Sequence, residues 1–372
     1  MKKETIFCIY KELSTLSDNR RNQGKRHKIE LIFMLVILSI MNGYNGFHAI
    51  DDFVKKHSNE LISIFKVDKN RLPSYSTIRR NISKINFDEL NNIFEKWTRK
   101  NIEICDKEWI SLDGKEIRGS AYDAEKRFVN MISLFFVNKK LVYMMGKVED
   151  KSNEIPKVQE LIDAFPGKKV IFRMDAMHCQ KKTIENILKK ESFYVLEVKN
   201  NQKELLKKVK FISNYMPVKS KNKTKEKNRG RIETRKVSVY KDCFDLFNYG
   251  WTDVKNIIKV NRTVKYKKGK TSQETAYFIT NLEENSAYFN KNIRGHWKIE
   301  NSLHYIKDVV FKEDHQKIRT KHAPQNMSLL RTFVLNVFRQ KGYNQITQSI
   351  RLLAGNLIET IKILDIKSVE GT

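Results

Sequence analysis

Apolar residues along this chain follow two periods, and the change between them divides it. The longest apolar run, Leu31 to Met41, is broken only by Ser39 and closes at Asn42-Gly43, which stops a helix. Its roughly dozen residues fall short of the ~20 needed to span a bilayer, so it reads as a buried helix. DDFVKKHSNELISIF and DELNNIFEKWTRKNI carry helical spacing on either side of LPSYSTIRRNISKI. There Pro73 breaks the chain and Ser74 or Ser76 caps a short helix that bears Arg79 and Arg80. Residues 1–102 thus read as all-helical. A strong helix followed by a short capped one with two arginines fits a helix-turn-helix-like DNA reader, or equally a bundle with solvated arginines.

From about residue 105 the spacing shortens. WISLDG is an apolar run ending in a turn dipeptide, and RFVNMISLFFVNKKLVYMMGKVED reads as two strands joined at Asn138-Lys139-Lys140. NEIPKVQELIDAF is a helix with Pro156 in its first turn. KKVIFRMDAM, CQKKTIENILKK, SFYVLEVKN and QKELLKKVKFIS then read as strand, helix, strand and helix. Three strands followed by alternating elements predict a mixed α/β sheet with helices on its faces. Residues 214–290 hold the lysine-rich run VKSKNKTKEKNRGR and then alternating stretches, a β-rich insertion with polar turns. Helical spacing returns in IRGHWKIENSLHYIKDVVF and NMSLLRTFVLNVFRQKG. The expected units are a helical domain at 1–102, an α/β domain at 103–345 and a helical tail at 346–372.

Charge narrows the class. The 372 residues include 72 Lys plus Arg against 43 Asp plus Glu, a net charge of +29. With 40% hydrophobic and 10% aromatic residues the chain can bury a core, which excludes wholesale disorder. The expected partner is a polyanion. About +14 of the excess falls in residues 201–300, whereas 101–200 carry only about +2. Acidic residues held against such a trend fit metal ions sited near nucleic acid. Cys8, Cys105, Cys179 and Cys243 lie far apart, which suits neither a zinc module nor a disulfide framework and points to a reducing compartment. The start, MKKETIFCIYKEL, is too polar for a signal peptide, and no membrane partner is expected.

Three carboxylates stand out by position. Asp113 ends the first strand of the α/β region and Asp175 ends the fourth. Glu300 shares a helical stripe with His296, Trp297, His304 and Lys307, a mixture that does not suit a core. Hydrolysis of a phosphodiester needs an activated water and stabilised charge on the leaving oxygen. Two Mg²⁺ ions do both, and hard cations want carboxylate oxygens. Lys115 and Arg118 follow the first aspartate closely enough to touch phosphate. Lys199, Asn201 and Gln202 leave the fifth strand, to reach DNA or to brace the site. His296 and His304 suit orienting the glutamate or binding phosphate, and Lys307 suits a phosphate contact.

Several segments in order resemble one family. LSDNRRNQGKRHKIELI, MNGYNGFHAIDDF and LPSYSTIRR resemble the N-terminal domain associated with insertion-sequence DDE transposases of the ISAs type, which includes the H-repeat-associated proteins. SLDGKEIRGS resembles the first-aspartate motif, KSNEIPKVQELID the segment after it, and DAMHCQKKTIENI the second-aspartate motif. YVLEVKNNQKEL and RGRIETR are further landmarks, and RGHWKIENSLHYIKDVVFKED resembles the glutamate motif. The resemblance implies that Asp113, Asp175 and Glu300 are the DDE triad and ligate two Mg²⁺ (or Mn²⁺) ions. It implies an RNase H-like mixed five-stranded sheet flanked by helices, with a β-rich insertion before the last catalytic helix and an all-helical N-terminal domain.

DNA contacts are expected from Arg79, Arg80, Lys115, Arg118, Lys199, Gln202, Arg294, His296, Trp297, His304 and Lys307. Ile293 and His296 stand where a wider signature has tyrosine and arginine, and Tyr305 where the family has tryptophan. The implied activity is transposition. The protein would bind the inverted-repeat ends of its element as a dimer or larger synaptic assembly, then hydrolyse those ends and transfer strands into target DNA. The implied setting is the bacterial cytoplasm, at the nucleoid. A DNA-binding relic without activity and a stand-alone RNase H-like nuclease are the alternatives.

Overall fold

The computed structural model describes residues 7–18, 20–21, 25–121, 128–148, 154–228, 230–242, 246–267, 269–294 and 299–364. Six helices come first: α1 (Phe7–Leu13), α2 (Ile29–Met41), α3 (Phe47–Lys56), α4 (Ser58–Phe65), α5 (Tyr75–Lys84) and α6 (Phe87–Asn101). Every residue of α2 except Glu30 is buried, which is why its run is apolar on all sides. It is the axis of a bundle, and Arg79 and Arg80 lie exposed on α5. Asn86 caps α6 by accepting from the Asp88 and Glu89 amides.

The sheet follows. Its strands are β1 (Trp109–Ile117), β2 (Val129–Phe136), β3 (Leu141–Val148), β4 (Ile171–Met174), β5 (Phe193–Val198), β6 (Ser220–Asn228), β7 (Arg231–Lys241), β8 (Asn256–Tyr266) and β9 (Thr271–Thr280). Helices α7 (Glu154–Ala164), α8 (Lys181–Lys189) and α9 (Lys203–Tyr215) alternate with the middle strands. The first five strands lie side by side as β3-β2-β1-β4-β5, with β1, β4 and β5 parallel.

The structure departs from expectation at three points. The sheet has nine strands, not five, because β9 pairs antiparallel with β5 and continues it through β8, β7 and β6. The insertion is thus an extension of the same sheet. Its lysine-rich run, expected only as a polar approach to the alternating stretches, is itself the edge strand β6, whose lysines alternate outward, a composition that disfavours pairing of the edge with another chain. Asp113-Gly114 is also no turn, since β1 runs on to Ile117. Gly114 serves a close approach instead: a Cβ there would lie 2.9 Å from Glu154 Oε1 of α7.

After the sheet come α10 (Ser286–Ile293), two π-wound turns (Glu300–His304 and Ile306–Val310), α11 (Ala323–Gln340), α12 (Ile346–Leu353) and α13 (Leu357–Ile363). Helix α11 joins the parts. It packs on α2, α5 and α6 and also on β3. Asn326 Nδ2 donates to the Ile82 and Ile85 carbonyls at 2.9 Å, and Asn336 exchanges two hydrogen bonds with the Val142 backbone on β3. One apolar core therefore runs from the N-terminal helices to one face of the sheet, and a second lies under α7–α9 on the other. The change of class near residue 102 is real, but no separate core ends there. No helix among the described residues is long and apolar enough to cross a membrane.

Candidate active site

Strand pairing brings the first two carboxylates together. Ser111 on β1 pairs in parallel register with Arg173 on β4. Asp113, still within β1, and Asp175, just past the end of β4, each lie two residues further on, so they fall on one face of the neighbouring strands. β4 ends at Met174, and Asp175 opens a tight turn, Ala176–His178. That turn is braced from beyond β5: Asn201 Nδ2 donates to the Ala176 carbonyl at 2.7 Å, and Gln202 Nε2 to the Cys179 carbonyl at 2.9 Å. Of the two uses open to Asn201 and Gln202, their bonds supply the bracing.

Glu300 comes from the π-wound segment that crosses the same sheet face. Such wide turns are frequent at functional sites. Its neighbour one turn on, His304, is nearly buried, with Nδ1 3.5 Å from Glu300 Oε1 and 3.7 Å from Asp113 Oδ2. One ligand atom from each of Asp113, Glu300 and His304 lies within 4.8 Å of the others, a donor set that suits a divalent cation. Asp175 stands outside that tight group. It shares with Glu300 a cleft of about 700 Å³, lined also by Glu197, Lys199, Arg235, Arg262 and Tyr305.

Two expected phosphate contacts prove to be internal. Lys307 is 2% exposed, and its Nζ lies 3.5 Å from Glu313 Oε2 and bonds Ser328 Oγ. Lys115 lies between Asp308 at 2.7 Å, Asp314 at 3.2 Å and Glu313 at 4.0 Å. A lysine held this way is not offered to DNA: Lys115 ties β1 to Asp308 of the π-wound segment, and Lys307 ties that segment to Glu313 and to Ser328 of α11. The hub is Glu313, fully buried, whose Oε1 also lies 3.3 Å from Arg331 Nη1. Burial pushes the Glu313 carboxyl up, but Lys307, Arg331 and Lys115 together hold it below its ordinary range. Burial alone would lower Lys115, yet Glu313, Asp308 and Asp314 raise it.

The remaining expected contacts are scattered. Arg118 is exposed, with its backbone amide on Asp314 Oδ1. Lys199 is exposed at the cleft, 3.2 Å from Glu197. Arg294 is paired to Glu226 of β6. Arg79 and Arg80 lie on the N-terminal helical bundle, where Arg80 lines a basic recess with Arg20, Arg26 and Arg71. His296 and Trp297 lie outside the described residues.

Sequence reasoning missed Glu313 and Arg331, the buried hub, and Arg173, Arg235 and Arg262, the arginines of the cleft. Strand alternation in RGRIETR carried part of that signal, since Glu233 and Arg235 are two apart and share a face.

Known proteins place the chain in a family. Residues 104–337 match the family model described as "Transposase DDE domain", and residues 10–98 match the model "DDE_Tnp_1-associated". The chain is 32% identical to "Putative transposase YncI" of Escherichia coli O157:H7, over 90% of this chain and 88% of that one. It is 30% identical to "H repeat-associated putative transposase YhhI" of Escherichia coli strain K12, over 88% and 89%. The piggyBac transposase synaptic complex with hairpin DNA is a distant likeness, with TM-score 0.49 and 12% identity over 98% of this chain and 81% of that one. The chain belongs to the DDE transposase family, whose members are enzymes of DNA phosphoryl transfer.

Proposed function

We propose that Asp113, Asp175 and Glu300 form the acidic centre of this transposase, and that it uses Mg²⁺ or Mn²⁺, in a pair of ions, to cut the ends of its own element and join them to target DNA. The observation that carries this reading is the meeting of Asp113, Glu300 and His304 within 4.8 Å. When bound, divalent ions would activate a water or a 3′-hydroxyl for attack and offset charge on the leaving oxygen.

The rest of the work falls to the chain. Asp113 presents its oxygens from within β1 and Asp175 from just past the end of the adjacent β4, so their spacing is set by the sheet's hydrogen bonds rather than by a long loop. Glu300 closes the set from the opposite wall. His304, wedged between Glu300 and Asp113, holds both side chains in place. Asn201 and Gln202 hold the Asp175 turn. The Glu313 hub fixes the π-wound segment to β1, which fixes Glu300 against Asp113. The basic insertion and N-terminal bundle hold the DNA that the carboxylates alone would repel. Two ends are handled together in a dimer or larger assembly.

The test is an excision assay on a marked element bounded by the DNA that flanks this gene. The unaltered chain excises the marker, and Asp175→Asn does not. Excision by the variant at the parental rate would refute the assignment.

A further inference from the structure

One row of charged side chains on the site face has no part in the reading above. On β7, β8 and β9 the residues Arg235, Arg262 and Glu274 stand directly opposite one another, in register across three antiparallel strands. Opposed residues share a face, and these line the cleft that holds Asp175 and Glu300. Arg235 and Arg262 are therefore two cations placed side by side, an arrangement that weakens a sheet unless an anion joins them.

The anions present serve the two guanidinium groups unequally: Glu233 and Glu274 together raise the Arg262 pKa, whereas that of Arg235 is lowered, chiefly by burial. Glu233, two residues before Arg235, is shared: Oε2 lies 3.0 Å from Arg262 Nη2 and Oε1 lies 3.5 Å from Arg235 Nη2. Glu274 reaches Arg262 only at 3.6 Å and is mostly exposed. Arg235 is 7% exposed, and its Nε and that of Arg262 are buried with no hydrogen-bond partner among the described residues. A third guanidinium, Arg173, lies on β4 two residues before Asp175, over the Phe278 ring. Burial lowers the Arg235 pKa; Glu233 raises it, while the neighbouring Arg294 and Arg262 lower it.

We propose that Arg262 and Arg235, aligned by Glu233, form a phosphate-binding fork on the insertion strands that grips the DNA backbone next to the cleavage position. Arg262 makes the contact, since its side chain is 26% exposed. Arg235 stands behind it and adds charge. A guanidinium presents paired donors that match two phosphate oxygens, which a lysine at this place would not do. The cleft then has an acidic wall for metal and a basic wall for the strand being cut. This proposal rests on the catalytic reading above.

The test measures binding of a duplex bearing the element's terminal sequence across a range of salt, in an Asp113→Asn background that suppresses cutting. Removing one phosphate contact lowers the slope of log affinity against log salt by about 0.9. Arg262→Gln is expected to show that drop and to bind roughly tenfold more weakly at low salt. The double variant Arg262→Gln/Glu274→Gln leaves net charge unchanged, removes Glu274 together with its partner and leaves Glu233 with Arg235, so it covers the case in which the single variant folds poorly. It is expected to show the same drop. A duplex carrying one neutral methylphosphonate, moved stepwise past the cleavage position, should weaken binding of the parent at one position and not that of either variant. Equal slopes for parent and double variant, or equal methylphosphonate losses in both, would overturn the fork. Cleavage that survives in the Asp113→Asn background would instead refute the catalytic reading, so the two failures are distinguishable.

Discussion

His304 Nδ1 lies 3.7 Å from Asp113 Oδ2, although the two residues are far apart in sequence and belong to a helical turn and a strand. The same nitrogen lies 3.5 Å from Glu300 Oε1, so one buried ring spaces both carboxylates. Groups that orient ligands commonly govern metal affinity by roughly tenfold to a hundredfold. His304→Ala should therefore weaken Mn²⁺ binding by that order, read by calorimetry, with the far-ultraviolet spectrum unchanged. His304→Asn, which keeps a polar side chain, should recover part of the loss. Unchanged Mn²⁺ affinity in the alanine variant would show that the ring only fills space.

Glu313 offers a stability test of the same frame. It is a fully buried carboxylate facing Lys307, Arg331 and Lys115, so its loss leaves three cations without their shared partner. Breaking a buried pair from one side costs about 3–5 kcal/mol. Glu313→Gln should show a loss of that size in denaturant unfolding. The pH sign follows from the direction of the shift. The folded carboxyl sits below its ordinary value of 4.5, so its contribution is present above that value and fades as pH falls through the folded value. The parent's melting temperature should drop in that acid window more steeply than that of Glu313→Gln. Parallel pH curves would remove Glu313 from this role.

The edge strand β6 separates two effects of one composition. Lys221, Lys223, Lys225 and Lys227 are exposed and alternate with Asn222, Thr224 and Glu226. Asn222 and Thr224 bond Asn290 of α10, and Glu226 pairs with Arg294. The lysines either guard a naked edge or hold DNA. Replacing all four with glutamine should reduce the salt slope of DNA binding by more than one unit if at least two of them meet phosphates, at about 0.9 each. A slope equal to the parent's, with a new tendency to aggregate, would assign them to edge protection alone.

The comparison of sequence with structure turns on which residues report their own environment. Helix α2, the β2–β3 hairpin and the alternation of β4, α8, β5 and α9 were legible because their apolar residues repeat with the period of the element that buries them. Asp113 and Asp175 were legible because each ends an apolar run. β6 was hidden because an edge strand of lysine, asparagine and threonine buries too little to leave an apolar period. The burial of Lys307 was hidden for a different reason: a lysine reads as solvated until its partner is known, and Glu313 meets it only where the π-wound segment ends. The arginines of the cleft depend on strand register across β7–β9, which local sequence does not specify. Glu300 stood out by its helical stripe of polar and aromatic residues, and the resemblance implied its place beside the two aspartates.

The central claim is that metal-dependent cutting of DNA ends resides in Asp113, Asp175 and Glu300. The most direct measurement compares cleavage and binding of a terminal-repeat duplex by the purified parent and by Asp113→Asn, with Mg²⁺ and with EDTA. The account predicts cutting by the parent only with Mg²⁺, at least a thousandfold less by the variant (about 4 kcal/mol in barrier), and equal binding of the duplex by both. Cutting by Asp113→Asn at the parental rate, or cutting by the parent in EDTA, would contradict it.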